Sequence, residues 1–186
     1  YTVAPMKVVI LGAGQVGGSL SANLSSYGYD VTVIDSNDEK LSDLDSRLYL
    51  RTVSGHASHP ITLKRAGCDS DTILLALTNN DEVNIVSCQI AKETFSVKKT
   101  ICRLSDSSYL DSFESFKDSI DIPISPEKDI TEHLSQLIRH PGTNQIETFA
   151  DGKVKLIAVK ASKKGKLVGK ELKNINDDMP DVETHV

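Results

Sequence analysis

An α/β fold, a Rossmann-like doubly wound parallel sheet followed by a partial α+β subdomain, is predicted from three observations. Apolar strand-like runs alternate with helical stretches through the first 125 residues, the first such run empties into a glycine-rich turn, and the next ends on an acid. Runs that stay apolar throughout, instead of alternating with polar residues, belong to strands buried on both faces. That is the habit of parallel sheets covered by helices.

The first strand is the run Lys7-Val-Val-Ile-Leu11, and Gly12-Ala-Gly-Gln-Val-Gly17 follows it. Each glycine has a reason: Gly12 permits the tight turn, Gly14 lets backbone come close to a pyrophosphate, and Gly17 lets the next helix pack against the strand. The helix opening there aims unpaired N–H groups and the positive end of its dipole at an anion. Val31 to Ile34 form the second strand, which ends on Asp35, 18 residues after Gly17. That spacing is close to the roughly 20 expected for an acid that accepts hydrogen bonds from an adenosine ribose. A 2′-phosphate at about 4 Å from this carboxylate would be repelled by roughly 4 kcal/mol at an effective dielectric near 20. NAD(H) or ATP/ADP is therefore expected ahead of NADP.

Further strands are expected at 48–53, 71–78, 100–104 and 120–124, with helices at 36–46, 60–66, 81–95 and 107–116. Ser36-Asn-Asp-Glu39 and Asn79-Asn-Asp-Glu82 each place a capping side chain three residues before a Glu, and Ser125-Pro126 puts proline at a first helical position. In a doubly wound sheet the ligand crevice lies at the carboxyl ends of the strands. The expected crevice residues are Gly12 to Val16, Asp35, Gly55 to Ala57, Thr78, Asn79 and Arg103. Arg103 is suited to paired hydrogen bonds with phosphate oxygens, or else pairs at the surface with Asp106. Thr78 and Asn79 either bond a ribose or phosphate, or Asn79 simply caps its helix.

Beyond residue 124 the pattern changes. Residues 126–140 read as one amphipathic helix with Ile130, Leu134, Leu137 and Ile138 on a face, stopped by Pro141-Gly142. Strands at 145–149 and 153–160 flank Asp151-Gly152, a hairpin turn signal. The expected organisation is an appended remnant at 1–5, a nucleotide-binding domain at 6–125, a crossover helix and linker at 126–142, and the cut-short start of a second subdomain at 143–186.

The chain has 186 residues and a net charge of −5, with 39% hydrophobic and 25% charged residues. This suits a globular domain and argues against a nucleic-acid partner. No apolar run approaches the roughly 18 residues of a membrane span. Cys68, Cys88 and Cys102 lack CxxC spacing and read as reduced, partly buried thiols. His56 and His59 share an H-x-x-H spacing in a loop without a flanking carboxylate or Cys, so no metal is expected. Eight lysines between 153 and 173 read as a solvated hairpin and loops, or as a contact for an acidic partner or lipid head groups. Neither a Tyr-x-x-x-Lys pair nor a His–carboxylate pair stands at a strand tip, so no catalytic residue is assigned. A sensor is expected ahead of the alternative, a fragment of an NAD-dependent oxidoreductase.

Gly12-Ala-Gly-Gln-Val-Gly-Gly18, Val33-Ile-Asp35, Gly55-His-Ala-Ser-His-Pro60, Ala76-Leu-Thr-Asn-Asn-Asp-Glu82 and Ser125-Pro-Glu127 together resemble the TrkA family. Its members are the RCK (KTN) domain regulatory subunits of bacterial Trk potassium uptake. The similarity runs from Met6 onward. It implies an RCK N-terminal subdomain followed by the start of the RCK C-terminal subdomain, whereas the full-length family resembles two such units in tandem. It also implies NAD binding by Gly12, Ala13, Gly14, Gln15, Val16 and Gly17 around the pyrophosphate, with Asp35 on the ribose and Thr78, Asn79 and Arg103 at later strand tips. The implied role is a cytosolic homo-oligomeric ring at the inner face of the membrane, gating the channel subunit TrkH in response to NAD(H) or adenine nucleotides. Helix 126–140 would serve as a crossover and dimerisation element. Many relatives have Gly-Asp-Ala where this chain has Gly55-His-Ala.

Overall fold

A computed structural model describes residues 6–139, 143–149, 153–159 and 168–169. The chain divides into two compact units, residues 1–128 and 129–186.

In the first unit, six parallel strands stand in the order β3-β2-β1-β4-β5-β6. They are β1 (Lys7–Leu11), β2 (Asp30–Asp35), β3 (Arg51–Ser54), β4 (Thr72–Ala76), β5 (Lys99–Arg103) and β6 (Ile122–Ile124). The connecting helices are α1 (Gln15–Ser26), α2 (Asp38–Arg47), α3 (Pro60–Arg65), α4 (Asp81–Phe95) and α5 (Ser107–Asp111). This order is that of the doubly wound Rossmann sheet, with its switch point between β1 and β4. Side chains alternate across β1, as strand geometry requires. Val9 and Leu11 join Leu74, Ala76, Ile85 and Cys88 in one core, while Val8 and Ile10 join Val31, Val33, Leu41 and Leu75 in another. Both faces of the sheet are thus covered, which is why the strands read as unbroken apolar runs.

Several boundaries differ from expectation. Strand β3 begins at Arg51, three residues after the expected Leu48, because Leu48 still closes α2 by donating its N–H to Leu44 O. The expected helix 107–116 breaks after Asp111 into a 3-10 turn at Phe113–Ser115. The break lets Tyr109, Leu110, Phe113 and Phe116 all reach the α4 side of the core. Helix α4 spans the expected residues 81–95.

Helix α6 (Pro126–Arg139) begins in the first unit and lies mostly in the second. Ile130, Leu134 and Ile138 on its apolar face are all more than half exposed. In the second unit, β7 (Thr143–Phe149) and β8 (Val154–Val159) pair antiparallel as the expected hairpin. Its turn dipeptide and most of the expected lysine-rich stretch lie outside the described residues. No described helix is long and apolar enough to cross a membrane.

Candidate functional site

The carboxyl ends of β1 to β5 open on a crevice of about 740 Å³. At its centre Gly12 has φ +102, and a Cβ there would meet the backbone of Leu77 and Thr78 at 3.2–3.3 Å. Only glycine makes that left-handed turn without strain. A Cβ on Gly17 would stand 1.9 Å from Gly12 O, so α1 rests directly on the turn. Gly14 is the opposite case, with no described residue within 4 Å of an added Cβ although it lines the crevice. Among the described residues no side chain caps α1, and its first turn carries no acid. Its N–H groups and positive dipole end are therefore arranged for an anion.

Asp35 ends β2 beside this turn. Its Oδ2 accepts the Ala13 N–H at 2.6 Å and its Oδ1 accepts the Asn37 N–H at 2.8 Å. Each carboxylate oxygen has a second lone pair to offer. The same carboxylate therefore braces the glycine turn and remains an acceptor for a ligand hydroxyl. Ala13 and Gly17 support the crevice from behind, whereas Gly12, Gly14, Gln15, Val16, Asp35, Thr78, Asn79 and Arg103 line it.

The helix caps sit one residue later than the sequence pattern suggested. Asn37 caps α2 by accepting the Lys40 N–H, and Asn80 caps α4 by accepting the Val83 N–H. Ser36 and Asn79 hold neither post. The cause is shared: Asp35 Oδ1 captures the N–H of Asn37, and Thr78 Oγ1 captures that of Asn80. Each bond folds a turn at the strand tip and spends one residue on it before the helix starts.

Thr78 has a second tie, donating its hydroxyl to Asn84 Oδ1 at 2.7 Å. Asn84 is fully buried. Its oxygen also accepts the Thr78 N–H, and its Nδ2 donates to Thr78 O and Arg103 O. All four hydrogen-bonding positions of this amide are filled, locking the tips of β4 and β5 together. The sequence reading missed Asn84; its one signal is a polar residue at an apolar position of the α4 pattern.

Arg103 Nη2 donates to Glu127 Oε1 at 2.5 Å, and Asp106, the other expected partner, instead caps α5 through the Ser108 N–H. Arg103 Nε is buried and has no hydrogen-bond partner among the described residues. The Glu127 carboxyl is held below the usual carboxylate range, first by its own backbone N–H and then by Arg103. Lys40 also lines the crevice near Asp35. The sequence reading missed it because its place on the crevice face follows from the shifted cap at Asn37.

At the β3 tip, His56 lines the crevice and its Nδ1 lies 2.9 Å from Ser58 Oγ, with the His59 ring centroid 5.1 Å from its own. Among the described residues no group of three or more His, Cys, Asp or Glu gathers to hold a metal ion. The three cysteines are buried. Burial, with help from Asp69, pushes the Cys68 thiol up to about 12, so it stays protonated and unreactive near neutral pH.

The geometry defines a class: an open doubly wound α/β domain of the Rossmann type, with an uncapped helix N-terminus and a strand-tip acid at its switch point. More particularly, the chain belongs to the TrkA-N domain family, whose model matches residues 8–126. It is 44% identical over 184 residues to the Trk system potassium uptake protein TrkA of Halomonas elongata, covering 97% of this chain and 40% of that protein. It is 42% identical over 185 residues to the protein of the same name from Vibrio alginolyticus, with the same two coverages. This chain therefore spans two fifths of the length of those relatives. Among solved structures, the GsuK channel bound to NAD matches with a TM-score of 0.64 at 14% identity, over 81% of this chain and 26% of that one, a likeness of fold. These relatives are named for potassium uptake.

Proposed function

We propose that this chain is the nucleotide-sensing portion of a regulatory subunit for potassium uptake, with NAD(H) or an adenine nucleotide as its signal. The observation that carries the reading is the join of β1 to α1, where Gly14 leaves open space at an uncapped helix start. Asp35, fixed by two backbone N–H groups beside it, supplies the ribose acceptor. In this reading Gly12 to Gly17 and, from the β5 tip, the Arg103 guanidinium hold the pyrophosphate, Asp35 the ribose, and Asn79 the far side of the ligand, with Thr78 shaping the β4 tip. Lys40 adds a cation on the Asp35 side and offsets part of the repulsion that a 2′-phosphate meets there.

The potassium role rests on the names of the relatives. It has the subunit assemble with copies of itself, the exposed apolar face of α6 serving as contact, beneath a membrane channel subunit of the TrkH kind. Nucleotide biases the gate only through unequal affinity for two shapes of that assembly; a tenfold difference supplies about 1.4 kcal/mol per site.

Calorimetric titration of the chain with NAD+, NADH, NADPH, ADP and ATP tests the crevice. The expected result is binding of NAD(H) or ADP/ATP, weaker binding of NADPH, and loss of binding in Asp35→Ala. Absence of binding by all five ligands overturns the reading.

A further inference from the structure

Resting on the nucleotide reading above, we propose that Glu127 is a built-in competitor for the nucleotide phosphate, the two exchanging on the single guanidinium of Arg103. Three features of the β5 tip lead there. Arg103 lines the crevice, and its backbone oxygen is fixed by Asn84 Nδ2. The strand tip therefore stays put while the side chain turns between partners. The Glu127 contact uses Nη2, and Nε is buried without an acceptor among the described residues. Glu127 thus leaves the donor set of Arg103 unfilled, where a phosphate with three oxygens and a larger charge has more to offer. Finally, the Glu127 side chain is half exposed, and an ion pair with one partner in solvent is weakly held and readily exchanged.

The position of Glu127 gives the exchange a consequence. It is the second residue of α6, behind Pro126, and the two compact units of the chain divide one residue later, after Lys128. A phosphate that takes Arg103 removes a side-chain anchor of the opening turn of that helix. Ligand charge is thereby felt at the start of the segment that leads into the second unit.

The test is a double-mutant cycle read by calorimetry with ADP and with adenosine, on the parent chain, Glu127→Gln, Arg103→Gln and the double variant. Thermal unfolding of each variant confirms that it is folded. Removing the competitor is expected to tighten ADP binding by about two- to fivefold, the size of a half-exposed ion pair. The gain vanishes in the Arg103→Gln background, and adenosine, which has no phosphate, shows none. ADP binding that Glu127→Gln leaves unchanged overturns the exchange, and so does binding that it weakens, since Glu127 would then be orienting Arg103 for the ligand. A parent chain that binds neither ADP nor any other nucleotide overturns the reading of the crevice itself and the exchange with it. A parent chain that binds ADP while the cycle shows no gain overturns the exchange alone.

Discussion

The tips of β2 and β4 make the same turn with different chemistry. At each, a strand-end side chain captures the N–H two residues on, one residue is spent on the turn, and an asparagine then caps the helix. At β2 the capturing group is the carboxylate of Asp35, which keeps lone pairs and charge toward the crevice. At β4 it is the hydroxyl of Thr78, whose proton is committed to the buried Asn84. One tip keeps hydrogen-bonding capacity for a ligand, and the other spends it on joining two strands. The turn is thus a shared framework, and function depends on what the capturing side chain has left over.

The strongest way to break this contrast is Asn84→Ala. It removes all four hydrogen bonds that this fully buried amide makes to Thr78 and Arg103, and a stability loss of about 2–4 kcal/mol is expected by chemical or thermal unfolding. Next come the capturing residues themselves. Asp35→Ala and Thr78→Val should each cost about 1–2 kcal/mol of stability. Titration should then separate them, with Asp35→Ala abolishing nucleotide binding and Thr78→Val leaving affinity nearly unchanged. Equal loss of affinity in the two would erase the distinction between the tips. The caps sharpen the shared half of the comparison: Asn37→Ala and Asn80→Ala should each destabilise by about 1 kcal/mol, and alike. Ser36→Ala, outside the cap, should do almost nothing.

A smaller effect than that of the caps is expected at the other end of β5. Asp121 accepts the N–H of Thr100 and pairs with Lys92. Burial pushes its carboxyl upward, but Lys92 and Thr100 together outweigh this and leave it lowered. A group depressed in the folded state contributes fully above its unfolded value, about 3.9 for aspartate, and loses that contribution as pH falls through the folded value. Stability should therefore drop below about pH 4, and Asp121→Asn should flatten that slope at a cost near neutral pH of about 0.5–1 kcal/mol. An acid limb unchanged in the variant would assign it to other carboxylates.

What the sequence determined by itself is what local chemistry determines. Strand and helix alternation, the glycine turn and the acid at the end of β2 were legible because buried strands must be apolar and left-handed turns need glycine. The same holds for the exact span of α4 and for the hairpin, each written within a dozen or so neighbouring residues. Even there the caps slipped by one, since Ser36 and Asn37, or Asn79 and Asn80, are equally good capping residues until a strand-tip side chain selects between them. Tertiary structure alone decided the rest. Asn84 saturates four bonds across two strands, Arg103 finds Glu127 and not its near neighbour Asp106, and Lys40 comes to line the crevice. These contacts exist only once the strand order 3-2-1-4-5-6 has brought distant tips together, and polar partners separated by up to 24 residues leave no periodic trace in the chain.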